Sequence, residues 1–167
     1  MKHSINRVLQ AMIEYDSGDP MRIHHFIKVH AFAAYIGRQE GLDKDTQEIL
    51  ELAAIVHDIG IHLAVENYGS ASAKYQEMIG PGEAEAMLEE LGLPEDVVKR
   101  VSYLVAHHHT YDLVDGPDYQ ILLEADMLVN LYEDRIPPAS QRKAYQMVFR
   151  TETGKKLCQL LYPAAVG

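Results

Sequence analysis

Apolar side chains recur every three to four positions along almost the whole chain, the spacing that lines one face of an α-helix. Ile5, Val8, Leu9, Met12 and Ile13 form the first such stripe. Asp16-Ser17-Gly18-Asp19-Pro20 interrupts it, and Asp19 before Pro20 predicts an N-cap with proline at the first helical position. The second helix carries Ile23, Phe26, Ile27, His30 and Ala34 towards Gly41. Asp43 or Asp45 caps the third, which is read as running to Gly60. Its later turns (Ile49, Leu50, Leu52 and the run Ala53 to Val56) are apolar nearly all round, which places it in the middle of a bundle. A polar loop is expected over residues 66–82, with a short helix around 74–79. An amphipathic helix follows at 83–91, ended by Gly92, and Pro94, Glu95 and Asp96 open another that buries Val97, Val98, Val101, Leu104 and Val105. Residues 112–117 read as a loop and 121–132 as helix. Pro137-Pro138 breaks the chain before two final helices, at about 139–150 and 154–161. No segment alternates with the period of two that marks a strand, and nothing repeats. The prediction is an all-α, single-domain helical bundle over residues 1–167, with its functional core at about 20–132 and capping helices at about 139–161.

Composition narrows the partners. The 167 residues suffice for one domain with a real core, and 47% hydrophobic with 24% charged residues is an ordinary globular balance. The net charge is −10 and the Lys and Arg residues are scattered, so the field repels nucleic acid and anionic membrane; no nucleic acid duplex and no membrane partner is expected. A small anionic substrate remains compatible, because a bound divalent cation dominates its local potential. The single cysteine, Cys158, lies on an apolar helical stripe and reads as a packed thiol. A lone cysteine fits a reducing compartment. Residues 1–7 lack the apolar core of a secretory signal, and no apolar run approaches the ~20 residues of a membrane span, so a soluble cytoplasmic protein is expected. The pattern sets no oligomeric state.

The apolar third helix ends in His57-Asp58. Burying an imidazole beside a carboxylate is costly unless something compensates both, and a metal ion does so. Adjacent residues diverge by about 100° on a helix, so both reach one ion most easily at a helix end, which Gly60 can supply. Further donors lie elsewhere. His25 is followed by Val29 and Ala33 at one-turn intervals, a small apolar stripe suited to close packing, whereas His24 points away. Asp126 sits deep in an apolar helix, where a carboxylate needs either a hydrogen-bond donor or a cation. Of His107, His108 and His109, at most two can face one site if the helix continues, and His107 and His108 are favoured; His109 reads as a solvated helix-end residue.

The order His25, then His57-Asp58, then Asp126, on separate helices, resembles the HD-domain superfamily of metal-dependent phosphohydrolases. So do the flanks: Val29 and Ala33 after His25, the run Ala53-Ala54-Ile55-Val56-His57-Asp58-Ile59-Gly60, and Glu124-Ala125-Asp126. The resemblance implies that His25, His57, Asp58 and Asp126 hold one divalent ion. Imidazole and carboxylate donors suit Mn, Fe, Co, Ni, Zn or Mg. Two-metal members usually add a histidine between the His-Asp pair and a later His-His. Here residues 75–84 contain none, and His62 lies very close to Asp58, so the sequence weighs against a second metal through His107 and His108. Glu77 or Glu83 would have to substitute, and each reads more simply as exposed.

By the same resemblance the chain is expected to be a hydrolase acting on a small phosphate ester or nucleotide through attack of a metal-activated water. His57, Asp58, His107 and His108 are the candidate catalytic residues, with His107 or His108 donating a proton to the leaving group. Lys28, Arg22 and Lys74 are the candidate phosphate partners, each also readable as a surface charge. Two alternatives stay open. One is a noncatalytic metal- or nucleotide-binding sensor or interaction module. The other is a two-iron oxygenase, which needs a fuller ligand set.

Overall fold

Most of the helices form where the apolar stripes predict them. The computed structural model describes residues 2–167 (Lys2 through its backbone alone), and Met1 lies outside them. The order is α1 (Lys2–Tyr15), α2 (Pro20–Gln39), α3 (Lys44–Val56), α4 (Ile61–Tyr68), α5 (Ala73–Glu90), α6 (Glu95–His107), α7 (Pro117–Glu133), α8 (Pro138–Val148), α9 (Glu152–Leu161) and a closing 3-10 turn, Pro163–Ala165. No strand occurs among the described residues. None of their helices is long and apolar enough to cross a membrane.

Local chemistry sets several boundaries. Asp19 caps α2, its side chain accepting from the Arg22 backbone N–H at 3.1 Å with Pro20 behind it. Of the two candidate caps for α3, Asp43 is the one that acts, accepting from the N–H groups of Asp45 and Thr46 at 3.0 Å each. Gly92 turns the chain out of α5 with φ of 72°, a left-handed conformation that glycine adopts without steric penalty.

Two expectations fail, both next to the site. The third helix ends at Val56, not Gly60; His57 to Gly60 form a turn, closed by the Ile61 N–H on the Asp58 carbonyl at 3.1 Å. The loop expected over 66–82 is mostly helix. Only residues 69–72 separate α4 from α5, and α5 passes straight through Pro81. Gly80-Pro81-Gly82 looks like a breaker because proline removes one ladder hydrogen bond and glycine favours the coil. Packing overrides that preference. The turn after α3 lies against α5 at Gly60 and Gly80, where a Cβ on Gly60 would stand 2.8 Å from the Gly80 nitrogen and 2.9 Å from its Cα. The two backbones approach this closely because neither residue carries a side chain.

The hub is α3, whose Leu50, Leu52, Ala53, Ala54, Ile55 and Val56 are fully buried and which packs on α1, α2, α6 and α7. That accounts for its apolar surface all round. Helices α5 and α6 form an antiparallel pair on one side, and α2 and α7 meet on the other. At the far end, α8 and α9 are pinned by Glu124 of α7, which is wholly buried. Its carboxylate accepts from the backbone N–H of Arg150 at 2.9 Å and of Thr151 at 3.0 Å, and from the Thr151 hydroxyl at 2.5 Å. Thr151 in turn caps α9 through the Gly154 N–H at 2.9 Å. A buried carboxylate is tolerable here because donors surround it. Cys158 is buried in this C-terminal layer, as its stripe predicts.

Gly60 has φ of −77°, which alanine adopts freely, so any effect of Gly60→Ala is steric. It is expected to destabilise the fold by about 1–3 kcal/mol through forced backbone separation. Gly82→Ala, which meets open space, should cause no such loss. Urea denaturation of the two variants measures the difference.

Candidate metal centre

Three separate segments deliver the donors. His25 comes from the second turn of α2, with Val29 and Ala33, both fully buried, following on its face. The turn after α3 brings His57 and Asp58 together, and the middle of α7 contributes Asp126. The Nε2 atoms of His25 and His57 lie 3.1 Å apart. Asp126 Oδ1 is 3.2 Å from each of them. Asp58 Oδ2 is 3.1 Å from the His25 nitrogen and 3.4 Å from that of His57. Neighbouring donors on an ion bound at the usual ~2.0–2.2 Å stand about 3–3.5 Å apart, so these spacings suit one shared cation.

The tautomers point the same way. His57 Nδ1 lies 2.8 Å from the Ala54 carbonyl and must carry the hydrogen, since a carbonyl only accepts. His25 Nδ1 is hydrogen-bonded to Glu133 Oε1. In the neutral rings each Nε2 is left as a lone pair, and the two lone pairs face each other and two carboxylates. Asp126 Oδ1 is buried and receives no hydrogen bond although two ring nitrogens stand beside it. Such a constellation needs positive charge at its centre, supplied by protons on the rings or by a metal ion.

The ionisation tendencies express this need. Burial alone pulls His25 down, but the carboxylates of Asp126 and Asp58 outweigh it and raise its pKa to about 9. Burial also opposes charge on His57, and again Asp58 and Asp126 prevail and lift it well above the usual imidazole value. The two carboxylates are pushed up by burial and held down more strongly, first by the facing His57 ring, so both stay well below the ordinary carboxylate range.

A second group of donors shares Asp58. Its Oδ1 lies 3.2 Å from His108 Nε2, while His108 Nδ1 bonds the Val105 carbonyl at 2.8 Å. Asp58, His108 and His109 each offer a ligand atom within 4.8 Å of the others, as do His25, His57 and Asp58. Burial, helped by the neighbouring His108, lowers His109 to about 4, which leaves it neutral with a lone pair at neutral pH. Gln76 of α5, buried and held through its Nε2 by the Ala71 carbonyl at 2.7 Å, presents Oε1 to His109 Nε2 at 3.1 Å. The sequence reading favoured His107 with His108 and set His109 aside; the structure brings His108 and His109 together. Helix α6 ends at His107, so the rule that successive helical residues diverge no longer applies to the next two. His107 instead bonds back to the Tyr103 carbonyl at 2.8 Å and stacks on the Tyr103 ring at 4.1 Å. The turn is fixed by the Tyr119 hydroxyl, which bridges the carbonyls of His107 and Thr110 at 2.9 and 2.5 Å.

The remaining candidates lie at different distances from this centre. Arg22 Nη1 donates to Asp58 Oδ2 at 3.1 Å. Lys28 is paired with Glu133 at 3.0 Å, on the far side of His25. Lys74 is exposed and lies over the Tyr75 ring. Glu83 accepts from the Tyr15 hydroxyl at 3.1 Å, and His62 pairs with Asp19 at 3.1 Å. Among the site groups, His25, His57 and His108 are closed to solvent, whereas the side chains of Asp58 and Arg22 are 14% and 25% exposed. The Asp58–Arg22 side of the centre is therefore open to solvent. Sequence reasoning weighed His109 and set it aside, and missed Gln76 and Glu133. Of those two, Glu133 left a trace, its place two turns after Asp126 on one helical face.

Without an ion, His25 titrates near 9, against 6.5 in the unfolded chain. The raised value means its contribution to stability is complete below about pH 6.5 and is lost as pH rises through about 9. A bound cation uses the same lone pair and competes with the proton, which reverses the sign. The melting temperature of chelator-treated protein is therefore expected to fall across this window. That of protein saturated with Zn²⁺ or Mn²⁺ should not. Thermal denaturation at stepped pH, with and without chelator, measures both.

Comparison with curated proteins gives no match. A family comparison does: the model of the HD domain matches residues 22–141, from the start of α2 into α8. The matched span includes every donor described above and the segments that position them, and it covers most of the chain. With these donors brought together on an all-α scaffold, the chain belongs to the HD-domain family.

Proposed function

We propose that the protein is a metal-dependent phosphohydrolase acting on a small phosphate ester or nucleotide. The observation that carries this reading is the convergence of His25, His57, Asp58 and Asp126 at a point that opens to solvent beside an arginine. A divalent ion held there would polarise a phosphoryl oxygen and lower the pKa of a water at its open position. The protein's own groups do the rest. Arg22 uses one N–H on Asp58 Oδ2, and the remaining donors of its guanidinium could take two phosphoryl oxygens side by side. His25, His57 and His108 are almost fully buried, and burial strengthens each charge interaction they make at the centre. Asp58 belongs to both donor groups, with Oδ2 3.1 Å from the His25 nitrogen and Oδ1 3.2 Å from that of His108, and His108 and His109 could hold a second ion. Arg22 is the favoured phosphate clamp, because Lys28 is already committed to Glu133.

His109 favours one further reading. With His108 and His109 beside Asp58, the chain offers a second donor group, which supports a two-metal reading of the kind a two-iron oxygenase would need. Metal analysis and substrate screening separate the two. Phosphate release from a panel of phosphomonoesters and nucleotides, supported by one or more divalent metals, is the expected outcome. Two irons per chain with oxygen consumption and no phosphate release would favour the oxygenase. His57→Ala should lose metal and reduce kcat/KM to background. Arg22→Met should chiefly raise KM, by about tenfold or more for loss of a charge-assisted contact. If no metal supports hydrolysis and His57→Ala binds the same nucleotide as the wild type, the protein is a sensor module instead.

A further inference from the structure

His25 is gripped at both ring nitrogens by one helix. Asp126 Oδ1 stands 3.2 Å from Nε2, and Glu133 Oε1 is hydrogen-bonded to Nδ1. Both carboxylates belong to α7, seven residues apart and so on one face. The second oxygen of Glu133 accepts from Lys28 Nζ at 3.0 Å, and Lys28 lies one turn after His25 on α2. Each Glu133 oxygen thus has one partner, and its side chain is only 15% exposed.

This arrangement differs from that of the other imidazoles at the centre. His57 and His108 direct Nδ1 to backbone carbonyls of their own segments, Ala54 and Val105. His25 directs Nδ1 to a charged carboxylate on a different helix. Glu133 is also the last residue of α7, where the helix dipole disfavours an anion, so its position is not explained by helix chemistry. Lys28 compensates that charge, and its Nζ also lies over the Tyr132 ring, 5.6 Å from the ring centre.

We infer that Glu133 is a positioning residue for His25, and that Lys28 serves to hold Glu133 in place and is not a substrate contact. The inference rests on the reading of His25 as a metal ligand. A carboxylate acceptor fixes the Nδ1–H tautomer, orients the ring, and makes Nε2 a stronger donor. A carbonyl acceptor does the first two and less of the third. The line Lys28–Glu133–His25 therefore ties ion affinity to the packing of α2 against α7.

The test uses the full chain stripped of metal and titrated with Co²⁺ against a chelating dye, with the Co²⁺ absorption spectrum as second readout and circular dichroism as the check on folding. Glu133→Ala is expected to weaken Co²⁺ binding about 10–100-fold and to alter the spectrum. Glu133→Gln keeps an acceptor without the charge and should recover part of the loss, and Lys28→Met should weaken binding less than Glu133→Ala. A folded Glu133→Ala protein with wild-type affinity and an unchanged spectrum would overturn the inference. If that variant does not fold, Glu133→Gln decides: wild-type affinity and spectrum there overturn it equally. Should the wild type take up no Co²⁺, or His25→Ala bind it as tightly as the wild type, the metal-centre reading itself fails, and the role of Glu133 falls with it.

Discussion

Two imidazole nitrogens that both present lone pairs do not settle 3.1 Å apart beside two carboxylates unless a cation or shared protons lie among them. Much of the fold is arranged to hold this otherwise repulsive constellation. The apolar hub α3 ends at it, α2 and α7 meet over it, and α6 ends in the turn that adds His108 and His109. Close packing supplies the rigidity: Val29, Ala33, Ala53 and Ala54 are buried and small, and let the helices approach closely around the contact.

The donors are steadied by two kinds of support. His57 and His108 lean on carbonyls within three residues, so the turn that creates each side chain's position also fixes its tautomer. His25 sits inside a long helix whose own carbonyls are used in the ladder, and its Nδ1 finds its acceptor on another helix. The local solution comes free with the helix end. The remote one requires α2 and α7 to be docked first. Asp126 depends on the same docking, since nothing on its own helix donates to Oδ1.

Charge is distributed to match. A chain of net charge −10 would keep an anion at a distance, yet the buried carboxylates at the centre face histidines and Arg22, and that arginine is partly open to solvent. Other buried carboxylates are neutralised away from the centre: Glu51 by His30 and Gln47, Asp118 by Arg100, and Glu124 by the α8–α9 junction. They hold helices together and do not compete for an ion at the centre.

The helical class, most helix positions and the apolar hub were legible in the sequence, because periodicity is a local signal; His25, His57, Asp58 and Asp126 stood out there as candidate donors by their place in apolar runs and by resemblance to a known family. Local signals also misled. Gly80-Pro81-Gly82 reads as a break, and only the contact of Gly60 with Gly80 shows why that stretch stays helical. Three consecutive histidines cannot be assigned without knowing that α6 stops at the first of them, and that stop is held by Tyr119 from another helix. Gln76 and Glu133 are ordinary polar residues in the chain and became part of the site through long-range packing alone. Sequence thus determined which residues carry donor chemistry and on which elements; tertiary structure decided which of them meet, because a hydrogen bond or a ligand contact is a property of distance, and distances between helices are set by how their side chains interlock.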